Sequence, residues 1–452
     1  MTDLALASAT ELAELYATGR ATPSEVMAAH RARIDELADL NAWLSVWPGD
    51  DIARIGPLAG IGVGVKDNFD TAGQVTTYAS SLHRDHVPSR DATAVTRLRE
   101  AGATILGKTH LHEYALGVTT ENPHYGDCLN PHDRSRVAGG SSGGSAVAVA
   151  TGMCCLGLGS DTSGSIRIPA AACGVVGLKP TFGRIGATGC FPEAQSLDTV
   201  GSLTRTVADA ALMLDVLSGH DPADPLSLDL PATHSPRRFG TDLTGMRIGI
   251  ERDFFFDRID ERVRSVVDAA ISSLSELGAE LVEVELPSLA EATWALTVID
   301  TVETTSFHRD RYAEHADAYG DDVRELIEQG ELPTGIDHLR AEQVRTAVKA
   351  DFGRAFGAGG RGVDALVAPT LPIITPKRGE QTVTLLGEDR VRDEELMRLV
   401  GPANLAGLPS LSLPCGAVEV EEADLPVGLQ LIGPALGEAA LLRIAGAMEA
   451  AG

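Results

Sequence analysis

Apolar and polar positions along this chain fall into blocks whose period changes. Residues 22–25, Thr-Pro-Ser-Glu, form a capping box with proline at the first helical position, which predicts a helix from Pro23 to about residue 40. Val26, Ala29, Ile34 and Leu37 share one face of it. Thr10 is the expected cap of a shorter helix over 11–17. From residue 57 the pattern shortens: 58–67 is apolar, glycine-rich and ends in Lys66-Asp67, like a buried strand ending in charge. A helix over 92–101, closed by Gly102, and a strand over 103–106 set a strand–helix–strand rhythm. A short helix near 111–116, an apolar helix of small residues over 145–151, a strand over 156–160 and an amphipathic helix over 207–219 continue it. Strands are further expected over 246–251, 279–285, 365–368, 409–413 and 428–432, with helices over 260–277 and 437–447. The 288–358 stretch holds many aromatic and charged residues and reads as helical. This alternation predicts an α/β fold. Residues 221–244, rich in Pro, Asp and Ser, read as a long surface connection, so residues 1–452 are taken as one domain. Its compact part covers about 57–220, and 288–358 is a variable helical cover.

Composition narrows the classes. With 44% hydrophobic and 22% charged residues among 452, the chain is globular and long disorder is not expected. Its net charge of −27, from 37 basic and 64 acidic residues, argues against a nucleic-acid partner, because phosphate contacts need clustered Lys and Arg. The six cysteines, at 128, 154, 155, 173, 190 and 415, lack zinc-ribbon spacing and suit reduced thiols in a cytoplasmic protein. No basic leader and no apolar run long enough for a membrane span is read, so no secretory signal and no membrane partner are expected.

The chemistry concentrates in 139–180, where two Gly/Ser loops flank one apolar helix. Glycine lets backbone approach a ligand closely, so such loops suit a site built from N–H groups and hydroxyls. A serine hydroxyl attacks only when a base takes its proton. Histidine usually does so, but none of the twelve lies in or just after this stretch and none follows 338. A lysine kept neutral by burial can replace it. Lys66, at the end of an apolar run, is the candidate, with Ser141 and Ser165 beside it in the argument.

Three separated motifs carry a resemblance: G-G-S-S-G-G at 139–144, G-S-D-T-S-G-S-I-R-I-P-A-A at 159–171 and C-G-V-V-G-L-K-P-T at 173–181. V-K-D at 65–67 stands 75 residues before Ser141, and Ser141 stands 24 before Ser165. In order and spacing they resemble the amidase signature family of serine hydrolases. G-K-T at 107–109, T-E-N-P-H-Y-G at 120–126, Leu408-Pro409 and 426–433 extend the likeness over nearly the whole chain, most weakly from 221 to 360. The resemblance implies a central mixed, twisted sheet covered by helices on both faces. It implies Ser165 as nucleophile, Ser141 as bridging serine after a cis peptide bond, and Lys66 as base. Backbone N–H groups of Thr162, Ser163, Gly164 and Ser165 would bind the oxyanion, and Ser142, Asp161 and Arg167 would hold Lys66 and the loop. Ser163 departs from the family's usual Gly or Ala. Ile168 stands where the A-type component of glutamyl-tRNA amidotransferase has glutamine, so the resemblance points to a free-standing amidase. The expected reaction is hydrolysis of a small linear amide or carbamate through an acyl-enzyme, with no metal and no organic cofactor, in a monomer or homodimer. The alternative kept beside it is an amidotransferase-type subunit supplying ammonia to a partner. Tyr125, Cys190, Phe191, Leu371 and the helix around 298–307 are pocket candidates, and the 121–130 and 187–197 loops with the helical stretch after 288 are expected to set specificity.

Competing readings of the same residues are weaker. G-S-S-G-G at 140–144 fits a nucleophile elbow, but that fold needs a late histidine. His110-Leu-His112 resembles a metal pair without further ligands at strand ends. Residues 174–179 place a lysine after glycines without the G-K-[ST] of a phosphate loop. A structural pairing of Lys66 with Asp67 is disfavoured by Ser141 and Ser165 in register.

Overall fold

The computed structural model of the chain describes residues 3–48, 52–53, 55–358 and 360–452. Its centre is an eleven-stranded mixed sheet. Across the sheet the strands run Trp43–Val46, Thr104–Thr109, Gly62–Lys66, Leu156–Asp161, Thr199–Thr204, Val176–Lys179, Ser410–Val420, Ala423–Ile432, Ala365–Pro369, Arg247–Ile250 and Glu280–Glu283. Gly62–Lys66 lies between two parallel neighbours, with Val65 opposite Lys108 on one side and Leu158 on the other. All five of its residues are buried, as a strand covered on both faces requires.

Local signals explain most elements. Thr22 and Glu25 form the reciprocal capping box and start the helix Pro23–Glu36. The first helix begins earlier than its sequence signal, at Ala9. Ser8, three residues before Glu11, makes the box there, while Thr10 donates from its N–H and hydroxyl to Asp209. The strand expected over 103–106 extends to Thr109, which brings Lys108 and Thr109 level with Val65 and Lys66. The helix Gly143–Ala150 packs closely against its neighbours: a Cβ at Gly144 would meet the His110 N at 2.4 Å.

Several elements carry no periodic signal. The strands Trp43–Val46, Val176–Lys179 and Thr199–Thr204 are short, and the last two are buried on both faces, so apolar and polar residues do not alternate. The helix Arg167–Cys173 is buried on every side. The hairpin of Thr382–Leu385 with Glu388–Val391 lies outside the main sheet. The helical cover resolves into Ala292–His315, Asp321–Gln329 and Gly335–Ala355, and the first packs against the third. No helix among the described residues is long and apolar enough to cross a membrane.

Candidate active site

The C-terminal ends of two parallel strands, Gly62–Lys66 and Leu156–Asp161, meet the start of the helix Gly143–Ala150. Lys66 is fully buried there. Its Nζ lies 2.8 Å from Ser141 Oγ and 2.9 Å from Ser160 Oγ. Asn68 Nδ2 also donates to Ser160 Oγ, at 3.0 Å. Burial lowers the Lys66 pKa to about 8, although Glu193, Cys190, Asp161 and Asp198 pull it upward. At 2.8 Å the Lys66–Ser141 contact works in both directions: an ammonium donates to Ser141, and a neutral amine accepts its proton.

Asp67 turns away from Lys66. Its carboxylate pairs with Lys108 at 2.9 Å and accepts from the N–H and hydroxyl of Thr77. Lys108 also donates to Phe69 O and Thr76 Oγ1. The buried structural pair is therefore Lys108–Asp67, and Lys66 has no carboxylate partner among the described residues.

The peptide bond between Gly140 and Ser141 is cis. Ser142 N–H donates to Ser165 O at 3.1 Å and ties the two Gly/Ser loops together, and Ser142 Oγ donates to Ser160 O. The second loop wraps around Asp161. This carboxylate accepts from the N–H groups of Gly164 and Ile166, from Asn404 Nδ2 and from the guanidinium of Arg167. Burial alone would raise its pKa, but Arg167, Lys179 and Asn404 hold it at about 2. Arg167 completes its own shell on Val400 O and Gln430 Oε1. Asp161, Ser142 and Arg167 thus fix the loop, while Ser141 and Ser160 hold Lys66.

Gly164 has φ 117°, and a Cβ there would meet Val400 Cγ2 at 2.3 Å, so only glycine fits. Its N–H is committed to Asp161. The N–H groups of Thr162, Ser163 and Ser165 make no hydrogen bond to another described residue. The side chains of this loop are anchored to carboxylates: Thr162 Oγ1 to Asp198 and Ser163 Oγ to Asp300, both at 2.6 Å.

A cavity of ≈ 90 Å³ opens over Ser165. Ser163, Leu116, Val118, Glu193, Asp300 and Met397 are among its walls, with Leu296, Thr297, Thr301 and Thr304 from the Ala292–His315 helix. The four pocket candidates from sequence divide. Leu371 packs with Val118, Ile168 and Val400 behind the cavity wall. Cys190 takes a hydrogen bond from Asn68 Nδ2 and lines a separate ≈ 260 Å³ cavity with Asp198 and Phe307. Phe191 joins an aromatic cluster with Tyr78, Tyr114 and His308. Tyr125 packs against Ala79 and Leu111 under Arg84, away from Ser165. Sequence reasoning singled out none of Ser160, Asn68, Glu193, Asp198 and Asp300, although Glu193 lies in the 187–197 loop and Asp300 in the 298–307 helix, both of them candidates. Ser160 sits inside the signature and was findable there. The three carboxylates had no motif, and Asp300 reaches Ser163 from 137 residues further along the chain.

His110 bonds Gly126 O and His112 bonds Asp322, and no cluster of three His, Cys, Asp or Glu side chains among the described residues is placed for a metal. Lys179, at the end of the third motif, is buried and donates to Pro180 O.

A family model described as Amidase matches residues 49–442. The chain belongs to the amidase family. Curated relatives include the A-type component of glutamyl-tRNA(Gln) amidotransferase from Desulforamulus reducens, 41% identical over 87% of this chain and 84% of that one. The same component from Halothermothrix orenii is 37% identical over 98% and 96%. Among solved structures, the corresponding component from Thermotoga maritima matches with TM-score 0.85 and 31% identity over 99% of this chain and 95% of that one. A structure from "an unexpected vestigial protein complex" that "reveals the evolutionary origins of an s-triazine catabolic enzyme" matches with TM-score 0.92 and 33% identity over 98% of both. As a family member the protein is an enzyme acting on C–N bonds.

These relatives correct two expectations. A free-standing amidase, and with it a monomer or homodimer, does not fit relatives named as amidotransferase subunits and a neighbour solved in a protein complex. Ile168 gave no information on assembly because it is fully buried in the apolar cluster behind the cavity. The signature residues build the interior of the protein.

Proposed function

We propose that this chain is the amide-cleaving subunit of a protein complex, releasing ammonia from a small carboxamide for use by a partner. The observation that carries this reading is 41–42% identity to A-type amidotransferase components over most of the chain, joined to a neutralisable lysine against Ser141. The same reading sets the chain in the cytoplasm, in keeping with six cysteines that are free.

In this mechanism neutral Lys66 accepts the Ser141 proton as Ser141 accepts that of Ser165. Ser165 Oγ attacks the carboxamide carbon. The N–H groups of Thr162, Ser163 and Ser165 receive the oxyanion, each contributing about 3 kcal/mol in sites of this type. Gly164 supplies the backbone turn that aims them, and Asp161 holds that turn. When the tetrahedral adduct collapses, the C–N bond breaks and the departing nitrogen takes a proton from Ser141, which Lys66 replaces. Ammonia leaves and an ester on Ser165 remains. Water then gives its proton to the same relay and attacks the ester, freeing a carboxylic acid and Ser165. Burial does the tuning: an ordinary lysine, with its pKa near 10.4, is almost wholly charged at neutral pH and a poor base.

The s-triazine neighbour favours a second reading, hydrolysis of an amide or carbamate within a complex and without transfer of ammonia. One experiment separates these readings. The chain is tagged, purified from its own cells and analysed by light scattering, while ammonia release is measured with and without a co-purifying polypeptide. A fixed-ratio complex whose partner consumes the ammonia is the expected result. A complex that releases all ammonia to solvent supports the second reading. A lone chain with full turnover contradicts both.

A further inference from the structure

The charged residues lining the cavity over Ser165 are all acidic. Glu193, Asp300 and Asp393 line it, and no Lys or Arg does. Helical spacing explains the wall: Leu296, Thr297, Asp300, Thr301 and Thr304 fall on one face of the Ala292–His315 helix. Asp300 uses one oxygen on Ser163 Oγ. Glu193 is 7% exposed, its Oε2 has no hydrogen-bond partner among the described residues, and its backbone carbonyl is held by Thr304 Oγ1. A buried carboxylate oxygen without a partner is costly and is stabilised by a cationic donor.

Among the described residues no Lys or Arg pairs with Glu193 or Asp300. Lys66 is on Ser141 and Ser160. Arg345 bonds Ser196 and Leu405 O, and Arg311 lies over the rings of Tyr114 and Phe191. The third lining carboxylate, Asp393, is matched by Arg392. Burial raises the proton affinity of both carboxyls, with Asp300 and Asp198 adding to it at Glu193 and Glu303 adding to it at Asp300. Leu116, Leu296 and Met397 supply an apolar sleeve leading past them.

We propose that this pocket selects carboxamides whose acyl part carries a primary ammonium at the end of a short methylene chain, with Glu193 and Asp300 as its receptors. The proposal rests on the reading of Ser165 as the acylated residue. It makes the preference one of charge sign: an ammonium enters, and a carboxylate at the same reach is repelled.

The test uses four amides built on one butanamide chain that differ in the charged groups on its C4: 4-aminobutanamide, glutamine, butanamide and glutaramic acid. They carry an ammonium, an ammonium with a carboxylate, no charge, and a carboxylate. Binding to the Ser165→Ala protein is measured by calorimetry, so turnover is not needed. The expected order is 4-aminobutanamide, then glutamine, then butanamide, with glutaramic acid weakest and at least about tenfold below the first, an effect of a single charged hydrogen bond. Glu193→Gln with Asp300→Asn, both isosteric and able to keep the Ser163 contact, should erase the gap between 4-aminobutanamide and butanamide. Glutaramic acid binding as well as 4-aminobutanamide, a preference surviving in the double variant, or no binding of 4-aminobutanamide at 10 mM overturns the proposal. Ammonia release by the wild type from the same four amides tests the catalytic reading separately: binding in the expected order without release leaves the pocket proposal standing and removes the mechanism.

Discussion

Two lysines end neighbouring parallel strands in this protein, and their surroundings differ in one respect. Lys108 is buried against the Asp67 carboxylate and donates to Phe69 O and Thr76. Lys66, one strand away and equally buried, meets only the hydroxyls of Ser141 and Ser160. The carboxylate next in sequence to Lys66 belongs to its neighbour. A lysine buried against a carboxylate is a structural strut. A lysine buried among hydroxyls is held between its two protonation states, and that is what a base working near neutral pH requires.

Removing each lysine should break the comparison most clearly. Lys66→Met is expected to lower kcat/KM by about 10³-fold or more, with thermal stability unchanged or raised, because an apolar side chain of similar size replaces an amine without an ionic partner. Lys108→Met should do the reverse to stability, costing about 3–5 kcal/mol by stranding Asp67, read as a drop in Tm. A Lys108→Met protein as stable as wild type would contradict the assignment of the strut.

The titration of Lys66 sharpens the contrast. Its folded pKa is depressed to about 8 and the neutral form is the base, so kcat/KM should rise with pH and level off above about 8. Below that midpoint it should fall about tenfold per pH unit. Glu193 pulls the Lys66 pKa upward, so Glu193→Gln should move the midpoint of the profile to lower pH. An unmoved or raised midpoint would show that Glu193 does not reach Lys66. The smallest effect is expected at Ser163→Ala. It keeps the Ser163 N–H but releases Asp300, a loss of about 1 kcal/mol or roughly fivefold in rate.

The legible and illegible parts of the molecule divide along the same line. The signature loops were readable because each residue has a chemical task only it performs. Gly164 needs φ 117°, Asp161 must accept the loop N–H groups, and Lys66 needs a hydroxyl partner. Capping signals also read directly, as at Thr22 and Glu25, since they are local. The pairing of Asp67 did not read, because its partner Lys108 comes from a different strand whose length the pattern underestimated. The buried strand Thr199–Thr204 and the helix Arg167–Cys173 hid for want of a polar face. The carboxylate wall hid for another reason: Asp300 looks like any solvated acid on a helix until the fold sets it 2.6 Å from Ser163. Of the pocket candidates, the 298–307 helix lines the cavity over Ser165 through Asp300, Thr301 and Thr304, while Tyr125 and Leu371 pack in apolar clusters instead.

The central claim is that Lys66 activates Ser165 through Ser141, and it needs neither substrate nor partner to test. A fluorophosphonate probe modifies an activated serine, and its rate on Ser165 can be followed by mass spectrometry across pH in wild type and Lys66→Ala. The account expects the wild-type rate to climb to a plateau with a midpoint near 8, and the variant to be slow, by about 10²-fold or more, and flat across that midpoint. Modification of Ser165 in Lys66→Ala at the wild-type rate would contradict it.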